Sequence, residues 1–304
     1  MDDSIRLARS PGNRAVMEGE QSDTDNQFIR WLGQADCCDA AQVGGKAGNL
    51  GRLARTYPVP PGFCLTADAL AQRRQAEYRE ALLQAYATLE QLVGQAQPGV
   101  AVRSSGIDED GKSASFAGQY ETFLNVRGAG AVLAAVDKCL HSAFAPRAIE
   151  YRLQNGLNSA DGRLAVLVQQ LVPADVSAVI FSANPINGRR DEIVITASWG
   201  LGESVVGGTV TPDTYIIRHR SAAQISAQIS DKARMTVPTT SGTTEVPVPR
   251  LLRRQRTLTD AQLLEMAQMA RALESEMGYA VDLECAWHRE KFFLLQCRPI
   301  TTLP

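Results

Sequence analysis

The sequence predicts an α+β protein of two lobes facing one another across a cleft, and three features carry that expectation. Helical apolar spacing dominates up to about residue 160, and short β-rich runs separated by turns dominate after it. No internal repeat of the kind that marks a solenoid or propeller is present. The expected organisation is a mobile N-terminal tail at 1–27, a first lobe at 28–160 and a second lobe at 161–304.

Bulk properties narrow the function. A chain of 304 residues with 44% hydrophobic and 21% charged residues is an ordinary globular chain rather than a disordered one. A formal net charge of −2 provides no basic surplus for nucleic acid or an anionic membrane, so neither is expected as a partner. No apolar run reaches the ~18 residues that span a bilayer, and the start MDDSIRLARSPGNR has no apolar signal core, so a cytoplasmic protein is expected. Six cysteines without a CxxC pair, beside three histidines, argue against a zinc site or disulfide framework.

The elements follow in order. The first 27 residues are polar and without period, so the fold begins near Phe28. Apolar residues around Ile29, Trp31 and Leu32 precede the Gly-rich turn VGGKAGNL and a short helix ending before Tyr57-Pro58. A Pro-Pro-Gly corner opens a strand over 59–66, and Thr66 caps a helical stretch from Ala67 to about Val93. The run 100–104 is β-like, the small and acidic segment SSGIDEDGKSASFAGQ is a loop, and 121–126 is extended. Helical spacing over 131–155, broken at Pro146, predicts two helices. Beyond Gly162, the runs 165–172, 178–182, 193–198 and 214–219 read as strands, and the Thr/Pro/Val-rich 236–249 as a loop or extended excursion. Thr259-Asp260 caps an amphipathic helix through about Met277, and strands over 281–287 and 292–296 form a final hairpin.

Three places have residue types suited to phosphate chemistry. Gly44-Gly45-Lys46 before a helix brings backbone N–H groups and an ammonium to one point, although the GxxxxGK[ST] spacing is absent and a bare GGK is commonly only a turn. Arg103, at a strand end beside a loop of small residues, could clamp a terminal phosphate under a closing lid or sit on the surface. In the last hairpin, Asp282 and Glu284 share one strand face, as do Gln296 and Arg298. Pairing of the strands would set two carboxylates against an amide and a guanidinium, a set for hard cations and the phosphates they bridge, whereas a solvated edge hairpin is the plain alternative.

The order of long motifs separates these possibilities. VGGKAGNLGRL, VPPGFCLT, VAVRSSGIDEDGKSASFAGQYETFLNV, PRAIEYR, VLVQQLVPADVSAVIFSANPINGRRDEIVITASWGLGESVVGGTVTPDTY and DLECAW…LLQCRPITTL resemble, from about Trp31 to Pro304, the ATP-binding domain of the phosphoenolpyruvate synthase, pyruvate phosphate dikinase and rifampicin phosphotransferase family. The resemblance implies an ATP-grasp fold using ATP and Mg2+. It implies that Lys46 and Arg103 contact the phosphates, that Ser115 to Gly118 forms the lid, and that Gln170, Leu171 and Val172 hydrogen-bond and flank adenine. Glu203 is the implied ribose contact, Glu284 and Gln296 the implied magnesium ligands with Asp282 as outer support, and Arg298 a second phosphate clamp. Departures are a shortened 66–100 connection, Cys285 where the family commonly has an aromatic residue, and Ala280-Val281 in place of a common Pro-containing turn.

Family members pass the phosphate through a histidine on a mobile domain, and none of His141, His219 and His288 lies in the Gly-Gly-rich, His-Ala context of that carrier. The expected function is therefore a dikinase-like component that phosphorylates a histidine on a separate phosphohistidine-domain partner, for onward transfer to a small-molecule acceptor. A self-sufficient carboxylate ligase and a non-catalytic ATP sensor are the alternatives.

Overall fold

The computed structural model describes residues 27–72, 76–107, 121–142, 144–154, 163–220, 222–301 and 303. The α+β class is as expected, and the chain forms two compact units, Met1–Leu171 and Val172–Pro304.

The first unit is built on a five-stranded antiparallel sheet. Strands β1 (Ile29–Trp31) and β2 (Gly62–Leu65) form one end, and β3 (Val100–Gly106) and β4 (Thr122–Val126) the other. Between them runs β5 (Leu164–Gln170), giving the order β1-β2-β5-β3-β4. The texture of the sequence groups the 165–172 run with the second half, whereas pairing puts β5 in this sheet. Its unbroken apolar run LAVLV marks a strand covered on both faces, but it does not say which sheet receives it.

Helix α1 (Ala40–Leu53) carries the Gly-rich turn, α2 (Ala67–Ala71) is capped by the Thr66 hydroxyl on the Ala69 amide, and α3 spans Ala76–Val93. Helices α4 (Ala129–Ser142) and α5 (Pro146–Gln154) follow, separated at Pro146 as the sequence requires. The main core joins Tyr78, Leu82, Tyr86 and Leu89 of α3 with Val132 and Val136 of α4 and with Val100, Val102, Val166 and Val168 of the sheet. The Tyr86 hydroxyl, which would be costly to bury alone, donates to the Pro98 carbonyl and accepts from the Gly128 amide.

The second unit has a six-stranded antiparallel sheet. Its strands are β6 (Val176–Phe181), β7 (Glu192–Trp199), β8 (Asp213–Arg220), β9 (Ala222–Gln228) and the late pair β12 (Val281–His288) and β13 (Lys291–Pro299), in the order β13-β12-β6-β7-β8-β9. β9 was not expected, because AAQISAQ lacks a β-branched or aromatic stripe; it is an edge strand held by pairing to β8. The extended excursion resolves into a separate two-stranded hairpin, β10 (Arg234–Pro238) and β11 (Thr243–Pro247).

A short helix α6 (Glu203–Val206) and the long helix α7 (Asp260–Met277) complete this unit. The cap expected at Thr259 is a full capping box: its hydroxyl accepts from the Gln262 amide while the Gln262 side chain accepts from the Thr259 amide. α7 packs Leu263, Met266, Met269, Ala270 and Leu273 inward, and the Trp287 indole N–H of β12 meets Met266 Sδ at 3.4 Å. Among the described residues, no helix is long and apolar enough to cross a membrane.

Candidate functional site

In the first unit, Lys46 and Arg103 are both tied to the same stretch of β3. Gly44 interrupts α1 with φ 77° and ψ 165°, so the helix restarts beyond it. A side chain there is excluded twice, by the left-handed φ and because a Cβ would lie 2.3 Å from the Ser105 carbonyl oxygen. The restarted helix is pinned by Ser105 Oγ, which accepts from the Ala47 amide at 3.1 Å. Lys46 is buried, and its Nζ donates to the Ser104 carbonyl at 3.2 Å. Arg103 is half-buried and alternates with Val102 and Ser104, which puts it on the Ser105 face of β3, the face that meets Gly44 and Ala47.

The expected adenine segment is the end of β5 and the two residues after it. The Gln170 amide donates to the Pro61 carbonyl at 2.9 Å and the Leu171 amide to the Gly99 carbonyl at 2.8 Å. Val172, beyond the strand, opens the second unit, and its carbonyl accepts from the Ala174 amide. The lid residues Ser115 and Gly118 lie outside the described residues.

In the second unit, the hairpin pairing joins Asp282, Glu284, Gln296 and Arg298 on one face. Asp282 is opposite Arg298 and Glu284 opposite Gln296 in the β12–β13 register. Asp282 is buried, and Arg298 donates to its Oδ2 from Nε and Nη2, each at 2.8 Å. Asp282 Oδ1 is buried and takes no hydrogen bond among the described residues. Burial pushes the Asp282 carboxyl above the usual range, against the lowering effect of Arg298, with Glu284 adding to the rise.

A β-bulge makes this face possible. Glu284 pairs with Gln296, but the next residue, Cys285, pairs with Leu294, so Leu295 is an extra residue in β13. In a regular strand Leu294 and Gln296 would share a face. The bulge instead puts Gln296 and Arg298 beside the carboxylates and leaves Leu294 and Phe292 with Cys285 and Trp287 in the core. Strand alternation puts each pair of these residues on one face but does not reveal the bulge, because a single extra residue leaves no local mark.

Two carboxylates and an amide oxygen beside a guanidinium are hard donors of the kind that hold Mg2+ through one or two carboxylates together with phosphate oxygens. The unpartnered Asp282 Oδ1 fits that use. Among the described residues there is no group of three His, Cys, Asp or Glu side chains able to cage a metal unaided.

Glu203 opens α6 in the same unit; it is exposed, and its Oε2 accepts from the Thr243 hydroxyl at 3.0 Å. A buried polar cluster to which sequence reading assigns no role centres on Asp213, in the TPDTY end of a quoted motif. Asp213 and Lys232 are fully buried and paired at 2.6 Å, with Asp213 also accepting from the Ser230 and Thr257 amides and the Thr257 hydroxyl. One signal was available: Asp213 shares a strand face with Tyr215 and Ile217, both buried. The six cysteines are free thiols, all buried except the partly exposed Cys38, and burial pushes Cys139 up to about 12.

Residues 71–304 match the family Pyruvate phosphate dikinase, AMP/ATP-binding domain, and the chain belongs to it. ATP with Mg2+ is the ligand set of such a domain. Relatives include the probable phosphoenolpyruvate synthase of Methanocaldococcus jannaschii, 38% identical over 91% of this chain and 27% of its own length. The rifampicin phosphotransferase of Streptomyces sviceus is 35% identical over 91% of this chain and 36% of its own. The chain thus spans well under half of these relatives. Among solved structures, D-alanyl-alanine synthetase A of Vibrio cholerae aligns over 84% of this chain and 55% of its own at 12% identity and a TM-score of 0.38.

Proposed function

We propose that this domain binds Mg-ATP and phosphorylates a histidine on a separate phosphohistidine domain or protein, from which a small-molecule acceptor is served. In this assignment the two units are the lobes of an ATP-grasp fold working in the cytoplasm. The observation that carries it is the in-register pairing of Asp282 and Glu284 with Arg298 and Gln296 on one face of β12–β13.

Lys46, Arg103 and Arg298 would hold phosphate oxygens, and Glu284 and Gln296 would hold the metal with Asp282 orienting Arg298. Gln170, Leu171 and Val172 would take adenine, and Glu203 the ribose. Mg2+, when bound, supplies neutralising charge at the phosphates. The step balances as ATP, water and histidine giving phosphohistidine, AMP and phosphate.

The test incubates the full chain with Mg2+ and ATP labelled at the β or γ phosphate, with and without the histidine domain of a phosphoenolpyruvate synthase. Acid-labile label on that domain, with AMP formed, is the expected result. Turnover that needs only a small carboxylate would establish a ligase instead, and binding without turnover in every condition a sensor.

A further inference from the structure

The turn that presents Glu203 is held by an element outside the sheet that carries it. Gly200 has φ 80°, and a Cβ on it would lie 2.4 Å from the Thr236 carbonyl oxygen of β10, so backbone meets backbone there. The Leu201 amide donates to that same carbonyl at 2.8 Å, the Gly200 amide donates to the Asp175 carbonyl at 2.9 Å, and the Ser177 hydroxyl donates to the Gly200 carbonyl at 2.7 Å. The peptide entering α6 is therefore fixed on three sides.

β10 returns through a tight tip, where the Thr239 amide donates to the Gly242 carbonyl and the Thr239 hydroxyl to the Ser241 carbonyl. Thr243, paired with Pro238, is the first residue of β11, and it donates its hydroxyl to Glu203 Oε2 at 3.0 Å. One hairpin thus fixes the backbone before Glu203 through Thr236 and the Glu203 carboxylate itself through Thr243. An exposed glutamate otherwise samples several rotamers; a single donor on one oxygen selects among them and leaves the second oxygen to accept from a ligand hydroxyl.

We infer that Thr243 is a positioning residue for Glu203, and that the β10–β11 hairpin thereby sets how strictly the nucleotide site demands a ribose hydroxyl. This rests on the proposal that Glu203 takes the ribose. The Thr243 hydroxyl is tied to Glu203 and not to any residue assigned to the phosphates or the metal, so its loss should fall on sugar discrimination.

The experiment measures dissociation constants of the full chain with Mg2+ for ATP, 2′-deoxy-ATP and 3′-deoxy-ATP, in the wild type and in Thr243→Val, Thr243→Ser and Glu203→Ala. The expected result is that Glu203→Ala abolishes the preference for ATP over one deoxy analogue. Thr243→Val should cut that preference by about fivefold, the scale of one lost hydrogen bond, and Thr243→Ser should keep it. If Glu203→Ala abolishes the preference and Thr243→Val leaves it at the wild-type value, or weakens all three nucleotides equally, the positioning role is overturned while the ribose contact stands. If Glu203→Ala leaves the preference intact, or the wild type shows none, the ribose contact fails and the positioning role with it.

Discussion

Arg298 directs both Nε and Nη2 to a single oxygen of Asp282, Oδ2, each at 2.8 Å, and Oδ1 is left buried with no hydrogen bond among the described residues. Asp282 therefore orients the guanidinium with one oxygen and offers the other to the site. Asp282→Asn keeps the shape and removes the charge that holds Arg298. Mg-ATP affinity should fall about tenfold, roughly 1.4 kcal/mol, as read by calorimetric titration, with the circular dichroism spectrum unchanged.

The Gly-rich turn makes a sharper demand. Gly44→Ala adds a Cβ at 2.3 Å from the Ser105 carbonyl and keeps a left-handed φ. It should cost about 2 kcal/mol or more and lower the melting temperature by several degrees. Lys46→Met, which leaves that turn alone, should weaken nucleotide binding with a smaller change in melting temperature. Equal melting temperatures for Gly44→Ala and the wild type would mean that the turn is not held against Ser105 as described.

The Asp213–Lys232 pair is a stability device by its burial. Lys232→Met strands a carboxylate in the interior and should cost roughly 3–5 kcal/mol in urea unfolding. The double variant Asp213→Asn with Lys232→Met should recover part of that loss, because neither charge is then left alone. A double variant as unstable as the sum of the singles would show the two groups uncoupled.

Glu192 gives the pH dependence. Its side chain is 2% exposed, accepts from Asn184, Asn187 and Arg218 and is ion-paired with Arg189, and these contacts, the Asn184 hydrogen bond first, hold its carboxyl below the usual glutamate range. A depressed folded value means that its stabilising contribution is present above the unfolded value and is lost as pH falls through the folded one. Unfolding midpoints between pH 7 and pH 3 should therefore decline less steeply in Glu192→Gln than in the wild type. Parallel declines would remove Glu192 from the acid sensitivity of the second unit.

What was legible in the chain depended on how local its cause is. Thr259 and Gln262 are three residues apart, and their reciprocal cap needs nothing beyond that spacing. The four-residue face of the last hairpin followed from strand alternation, since Asp282/Glu284 and Gln296/Arg298 are each two apart. The bulge at Leu295, the place of β5 between β2 and β3, and the pairing of Asp213 with Lys232 are set by partners distant in sequence, and alternation within one strand says nothing of them. β9 was hidden for a different reason: small and polar residues form a strand there because β8 offers an edge.

If the β12–β13 face holds the metal as proposed, nucleotide binding depends on a divalent cation. Calorimetric titration of ATP into the chain, with Mg2+ and with excess chelator, tests it most directly when run beside Glu284→Ala. Binding should weaken at least tenfold on chelation, and the Glu284→Ala variant should be insensitive to Mg2+. ATP affinity equal with and without Mg2+ in the wild type, or an unaltered Mg2+ response in Glu284→Ala, would contradict it.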